Sequence, residues 1–230
     1  MQGIEKCRDQ PIAADCWGSK NPSCMKPVIV PNVGKPQIML VTEQMAAPCH
    51  ISKDWNPNED LIRTIRDCKN GKVDRYTIPN INRTLYGRFL QDFDDRKCAF
   101  SKFYWTHFIK CPGDLRNKKK RFNVKGLDYD ACANAFLTDE IRAFRPGLII
   151  TMGKYAGDWV LRKANYPAEW IDFVKDELRS VFSSRKQIPT VTIENITTRL
   201  VAMPHPSGQN PLSIFNKDLQ ELIKNGILDH

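Results

Sequence analysis

The sequence lacks the segments that mark membrane and secreted proteins. No apolar run approaches the roughly 20 residues that a membrane-spanning helix needs. The opening MQGIEKCRDQ has no apolar stretch of the kind found in signal peptides, which predicts a cytoplasmic protein without membrane association. Disulfides are rare in that reducing compartment, so the eight cysteines favour metal or cluster ligation over cross-linking.

Internal repeats and low-complexity tracts are also missing, so the sequence predicts neither a solenoid nor a disordered protein. Its 230 residues are 41% hydrophobic, which is enough to bury the core of one α/β domain. We therefore expect a single domain over residues 1–230 and a monomer. Residues 1–35 contain three cysteines and little periodicity, so we expect a metal cluster to staple this N-terminal segment to the domain.

Positive charge is in excess, with a formal net charge of +9 at pH 7. A basic domain of this size commonly binds a polyanion, and nucleic acid is the first candidate. A basic protein without such a partner is the alternative. The most basic loop is DLRNKKKRFNVKG (114–126), whose candidate phosphate contacts are Lys118, Lys119, Lys120 and Arg121.

The pattern of apolar residues predicts alternating strands and helices. Buried strands are predicted at residues 36–43, 103–110, 147–153 and 198–203. Helices are predicted near residues 59–68, 86–93, 131–144, 154–163, 170–181 and 211–225. Such alternation implies a parallel sheet covered on both faces. The predicted fold is therefore α/β, a three-layer α/β/α domain with a central four-stranded parallel sheet.

Polar residues follow three of these strands, in the clusters Thr42-Glu43-Gln44, Thr106-His107 and His205-Pro206-Ser207. Right-handed connections bring the carboxyl ends of parallel strands to one edge, so these clusters should lie together. Ligands bind at that edge in open α/β sheets. The sequence therefore predicts a site there, with an ordinary proline-flanked turn around His205 as the alternative.

Four segments of the sequence resemble the motifs of a known protein family and occur in the same order. They read VPNVGKPQIMLVTEQMAAP, YWTHFIKCPGD, CANAFLTDEIRAFRPGLIITMGKYAGDWVL and MPHPSGQNP, within residues 28–212. Together they resemble the motifs of the uracil-DNA glycosylase superfamily, most closely its iron–sulfur-containing branch (families 4 and 5). The first motif is degenerate, because GEAPG has become TEQMA at residues 42–46. The resemblance implies a uracil-DNA glycosylase-like fold and a DNA glycosylase that removes uracil or another deaminated base.

The resemblance also implies the catalytic residues. His205, in the H-P-S motif, would donate a hydrogen bond to the departing base, which gains negative charge as the glycosidic bond breaks. One preorganised donor of this kind contributes roughly 3 kcal/mol. Glu43 matches the glutamate of GEAPG and would activate or orient water. Its alternative role is a structural hydrogen bond at the strand end.

Base and DNA contacts follow from the same resemblance, because a target base must flip out of the duplex to reach the site. His107 replaces the asparagine that reads the uracil edge, and a histidine donates or accepts there according to its tautomer. The alternative is that His107 only packs against Trp105. Gln44 and Tyr86 are the other expected base contacts. The expected contacts with the DNA backbone and minor groove are Ser207, Gly208, Gln209 and Asn210.

The cysteines acquire a role from the resemblance as well. Cys111 and Cys132 match the two later cluster ligands of the iron–sulfur branch. The earlier two normally form a C-x-x-C motif, which this chain lacks, but Cys16 and Cys24 lie in that region, with Cys7 as an alternate. Four thiolates would hold a [4Fe–4S] cluster, or structural zinc in a tetrahedral site. Buried free thiols are the alternative.

Two other functions remain open. The degenerate first motif and the missing asparagine favour a catalytically silent nucleic-acid-binding relative that keeps the fold, the cluster and the basic loop. An unrelated flavodoxin-like enzyme with a zinc-stapled N-terminal segment is the second. Neither G-x-G-x-x-G nor G-K-[ST] occurs in the chain, which argues against that enzyme.

Overall fold

The computed structural model describes residues 38–47, 103–114, 130–166 and 188–203, which form a five-stranded sheet and the helices beside it. The strands are β1 (Ile38–Ala47), β2 (Phe103–Asp114), β3 (Leu148–Met152), β4 (Thr190–Ile193) and β5 (Ile196–Met203). Their order in the sheet is β2-β1-β3-β5-β4. β1 pairs in parallel with β2 and β3, and β3 pairs in parallel with β5. An α/β fold with the four predicted parallel strands is thereby confirmed.

Beside the four predicted parallel strands, the sheet has one edge strand that the sequence did not predict. β4 pairs antiparallel with β5. The two strands are joined by Glu194 and Asn195, whose φ angles of 49° and 62° are both positive, as in a two-residue type I′ hairpin turn. Glu-Asn is a weaker hairpin signal than Asn-Gly. The sequence pattern therefore misses β4 and begins β5 at Thr198, two residues after its observed start at Ile196.

Two helical regions connect the strands. α1 (Asp130–Cys132), a π-helical segment (Ala133–Leu137) and α2 (Thr138–Phe144) run without a break, and α3 is Lys154–Lys163. These bounds agree with the helices predicted at 131–144 and 154–163. α2 ends because Arg145 adopts a left-handed conformation and Pro146 cannot continue the helix. The helices predicted near 59–68, 86–93, 170–181 and 211–225 lie outside the described residues.

The helices α1 to α3 pack on one face of the sheet. The rings of Tyr104 and Phe144 have centroids 4.5 Å apart, and those of Phe108 and Trp159 are 6.4 Å apart. Residues that alternate to the opposite face are buried as well, among them Leu40, Thr42, Trp105 and His107. Burial on both faces agrees with a parallel sheet inside a layered domain, although the predicted second helical layer lies outside the described residues. In the part of the chain that the structure describes, no helix is long and apolar enough to cross a membrane.

Candidate functional site

The strand register brings two of the three predicted polar clusters together at the carboxyl edge of the sheet. Thr42 of β1 pairs with His107 of β2 on one side and with Met152 of β3 on the other. Met152 pairs in turn with Met203, the last residue of β5. Glu43 is the next residue along β1. The third cluster begins shortly after Met203 in the sequence and lies outside the described residues.

Glu43 is held at the N-terminus of α3. The backbone N–H of Tyr155 donates to its Oε1 over 3.1 Å, and the backbone N–H of Lys154 donates to the carboxyl group as well. These amides are among the first of the helix, which have no acceptor inside it and which favour negative charge. Burial raises the pKa of Glu43 to about 7, and the two amide hydrogen bonds oppose this effect. The group therefore gains and loses its proton near neutral pH, as a general acid or base must.

The glycine that precedes α3 makes room for this carboxyl group. Gly153 has a φ of 111°, a conformation that side chains rarely adopt, and a Cβ atom there would overlap with Oε1 of Glu43. The sequence marks Gly153 only as the residue that leads into a helix. Its second role depends on a side chain from another strand, which no local sequence signal reveals.

His107 is buried beside Thr42 and Trp105. Its Nδ1 lies 2.6 Å from Oγ1 of Thr42, and its ring meets the Trp105 ring edge-on with centroids 5.6 Å apart. Burial, together with the nearby charge of Lys110, lowers the pKa of His107 to about 3, so the imidazole is neutral at neutral pH. Among the described residues, Nε2 has no hydrogen-bond partner. The structure thus shows the packing against Trp105, whereas contact with a base stays a prediction.

A buried ion pair joins α2 to β2. Nζ of Lys110 lies 2.8 Å from both carboxylate oxygens of Glu140. The Thr106 hydroxyl donates to Glu140 over 2.7 Å and accepts from Lys110 over 2.5 Å. Removing one member would leave a buried charge without its partner, which typically costs about 3–5 kcal/mol. The sequence did not indicate this cluster, because a lysine at a strand end and a glutamate on an amphipathic helix usually face solvent.

Cys132 is the one expected metal ligand whose side chain the structure describes. Its buried Sγ accepts a hydrogen bond from the backbone N–H of Lys110 over 3.3 Å. Lys110 directly precedes Cys111, so this bond brings the sulfur of Cys132 to the backbone beside a second cysteine. Cysteine thiolates are the donors that an iron–sulfur cluster or structural zinc uses, so the chemistry of these two residues fits such a group.

Ligation itself stays a prediction. The described ranges contain no group of three or more His, Cys, Asp or Glu residues that could hold a metal ion. The remaining expected ligands, Cys16, Cys24 and the side chain of Cys111, lie outside the described residues.

The other predicted site residues also lie outside what the structure describes, and their roles stay predictions. The backbone of Gln44 belongs to β1 and pairs with Ile109, but its side chain is not described. The remaining residues are Tyr86, Lys118, Lys119, Lys120, Arg121, His205, Ser207, Gly208, Gln209 and Asn210.

Comparison with protein families agrees with the motif order. The family model of the uracil DNA glycosylase superfamily matches residues 70–224, which is more than half of the chain. The matched region includes β2 to β5, the helices α1 to α3 and the H-P-S motif, whereas Glu43 precedes it. No curated protein sequence matched the chain. On this match, the chain belongs to the uracil DNA glycosylase superfamily.

Proposed function

We propose that the chain is a DNA glycosylase that hydrolyses the N-glycosidic bond of uracil or another deaminated base in DNA. Membership of the superfamily supports glycosylase activity in general. The observation that carries the proposal for this chain is the carboxyl group of Glu43. It lies at the carboxyl edge of a parallel sheet, is oriented by the first amides of α3, and has a pKa of about 7.

In this mechanism Glu43 acts on the attacking water. The water oxygen bonds to C1′ of the sugar, its proton passes to the Glu43 carboxylate, and the electron pair of the glycosidic bond leaves with the base. A carboxylate whose pKa lies near the operating pH is well matched to this transfer. The backbone amides of Lys154 and Tyr155 would hold the carboxyl group in one orientation through the step, because protonation of one oxygen leaves the other able to accept.

His205 is assigned the other half of the reaction. It follows Met203 at the end of β5 by two residues and stands between two prolines that restrict its backbone. An imidazole N–H directed at O2 of a pyrimidine would stabilise the charge on the departing base. The DNA beside the flipped nucleotide would be contacted by Ser207, Gly208, Gln209 and Asn210. The basic loop at Lys118–Arg121 would contact phosphates.

A [4Fe–4S] cluster, or zinc, would be held by the thiolates of Cys16, Cys24, Cys111 and Cys132. The hydrogen bond from the Lys110 N–H to Cys132 supports this assignment for Cys111 and Cys132, because Lys110 directly precedes Cys111. When bound, the group would tie the N-terminal segment to the sheet through thiolate bonds.

Single-turnover assays on oligonucleotides that carry uracil, hypoxanthine or xanthine test the proposal. Wild type should cleave at least one of them, and Glu43→Gln should slow cleavage and abolish its rise with pH around 7. Glu194→Gln, at an exposed position of the β4–β5 turn, is the matched control and should cleave as wild type does. Binding of all three oligonucleotides without cleavage would replace this proposal with the silent nucleic-acid-binding function.

A further inference from the structure

We propose that Thr42 and Trp105 fix the tautomer of His107 with its proton on Nε2, so that His107 donates a hydrogen bond to the keto oxygen that deamination creates on a base. The inference rests on the proposed function, because it assigns the base specificity of that site. In it, His107 touches the base, and Thr42 with Trp105 are positioning residues.

The first step is a count of protons at the Thr42 hydroxyl, which has one proton to donate and two lone pairs that accept. The indole N–H of Trp105 lies 3.1 Å from Oγ1 and only donates, so it occupies one lone pair. The single hydroxyl proton then has two possible acceptors, Nδ1 of His107 at 2.6 Å and the backbone carbonyl of Thr106 at 3.3 Å.

The two distances decide between these acceptors. A separation of 3.3 Å is long for an O–H···O hydrogen bond, for which 2.5–3.0 Å is usual. The hydroxyl proton therefore goes to Nδ1 of His107. Because the imidazole is neutral, it carries one proton, and an accepting Nδ1 leaves that proton on Nε2. The Trp105–Thr42–His107 chain of hydrogen bonds thus sets Nε2 as a donor.

Nε2 is then a buried donor without a partner among the described residues, on a side chain that is 2% exposed. Leaving such a donor unsatisfied costs about 1–3 kcal/mol, and native structures seldom retain one without a reason. A ligand acceptor would satisfy it. The imidazole is covered in this structure, and contact between a base and Nε2 is part of the proposal.

The chemistry of deamination identifies the acceptor. Cytosine presents an amino group at C4 and adenine one at C6, whereas uracil and hypoxanthine present keto oxygens at those positions. A fixed N–H donor pairs with a keto oxygen and opposes an amino group. An asparagine amide supplies a donor and an acceptor together, but the tautomer of His107 leaves only the donor. Thr42 and His107 are both positions at which the chain differs from the family motif, and they are in direct contact.

Nitrogen-15 NMR of the imidazole reads the tautomer without any activity. Wild type should show a protonated Nε2 and an unprotonated Nδ1 for His107. Thr42→Val should lose this preference, and Thr42→Ser, which keeps the hydroxyl, should retain it. Thr151→Val is the matched control, because Thr151 is a buried threonine of β3 whose hydroxyl has no partner among the described residues. A proton found on Nδ1 in wild type would overturn the inference. Trp105→Phe is the second test, should Thr42→Val fail to fold.

Cleavage then tests the specificity. The substrates are matched oligonucleotides with uracil or with 2-pyrimidinone, which carries hydrogen in place of the C4 keto oxygen. The rate ratio of uracil to 2-pyrimidinone should fall at least about tenfold in Thr42→Val and stay within about threefold of wild type in Thr42→Ser and Thr151→Val. An unchanged ratio in Thr42→Val would overturn the inference while leaving the glycosylase proposal intact.

Binding separates the two proposals if wild type cleaves neither base. The probes are oligonucleotides with 2′-fluoro-2′-deoxyuridine or 2′-fluoro-2′-deoxycytidine, in which the fluorine disfavours bond cleavage. A shift of the His107 Nε2–H resonance with the uracil probe alone would support base reading although the proposed activity fails. No shift with either probe would overturn the inference.

Discussion

Replacing Glu43 with glutamine should stabilise the protein at alkaline pH and leave it nearly unchanged at acid pH. Glutamine keeps the shape of the side chain, and its amide oxygen still accepts the Tyr155 N–H. It removes the negative charge that burial disfavours and replaces one carboxyl oxygen by an amide NH2 group. The variant therefore isolates the effect of placing this carboxylate at the end of β1.

The magnitude follows from the pKa of Glu43, which burial raises from 4.5 to about 7. Because the folded state holds this proton more tightly than the unfolded state, the unfolding free energy falls as pH rises between these values. The contribution is complete below pH 4.5 and is lost above pH 7. At 1.36 kcal/mol per pKa unit, the difference amounts to about 3 kcal/mol.

The assay is urea unfolding of wild type and Glu43→Gln at a series of pH values from 4.5 to 8, followed by tryptophan fluorescence. The difference in unfolding free energy between the two proteins cancels the titration of other groups, and it should grow by about 3 kcal/mol in favour of the variant. Glu194→Gln, on the exposed turn, should stay within about 0.5 kcal/mol of wild type. A difference that is constant with pH would refute the raised pKa. A difference that grows in favour of wild type would show that the α3 amides stabilise a permanent carboxylate.

Three further predictions concern other parts of the chain. Protein purified without oxygen should be brown with about four irons per chain if it binds a [4Fe–4S] cluster, and Cys111→Ala or Cys132→Ala should remove the colour. Colourless protein with bound zinc would indicate a structural zinc site, and metal-free folded protein would exclude both. Neutralising Lys118, Lys119, Lys120 and Arg121 together should weaken binding to every DNA sequence and reduce the salt-dependence slope by at most about four; an unchanged slope would make the loop a solvated surface. Gly153→Ala should lower the unfolding free energy by about 1–3 kcal/mol, because it strains the backbone and displaces Glu43; unchanged stability would contradict the close contact between them.

The parallel core of the fold was predictable from local pattern. Buried strands such as β1 and β3 are continuous apolar runs, and α3 begins after a glycine and shows clear helical spacing, so its bounds match the prediction. β4 was missed because a four-residue strand with two exposed threonines carries little apolar signal, and the Glu-Asn turn after it is a weak hairpin signal.

The polar contacts of the site could be predicted only in part. Strand alternation and topology place Thr42 and His107 at one edge, as expected from the sequence. Three contacts depend on residues that are distant in the chain. They are the hydrogen bonds of Thr42 with His107 and the Trp105 indole, the Gly153 contact with Glu43, and the Lys110–Glu140 ion pair. Periodicity indicates which positions are apolar. It does not indicate which polar side chains meet inside the core, and a buried lysine such as Lys110 looks like an exposed one in the sequence.

We propose that the carboxyl edge of this sheet breaks a glycosidic bond, with His205 stabilising the departing base. The most direct test is the single-turnover cleavage rate of wild type and His205→Ala on an oligonucleotide containing the base that wild type prefers. Wild type should cleave this oligonucleotide, and the variant should cleave it more slowly by roughly two to three orders of magnitude, with nearly unchanged DNA affinity. Equal rates in the two proteins would contradict it and leave His205 a turn residue.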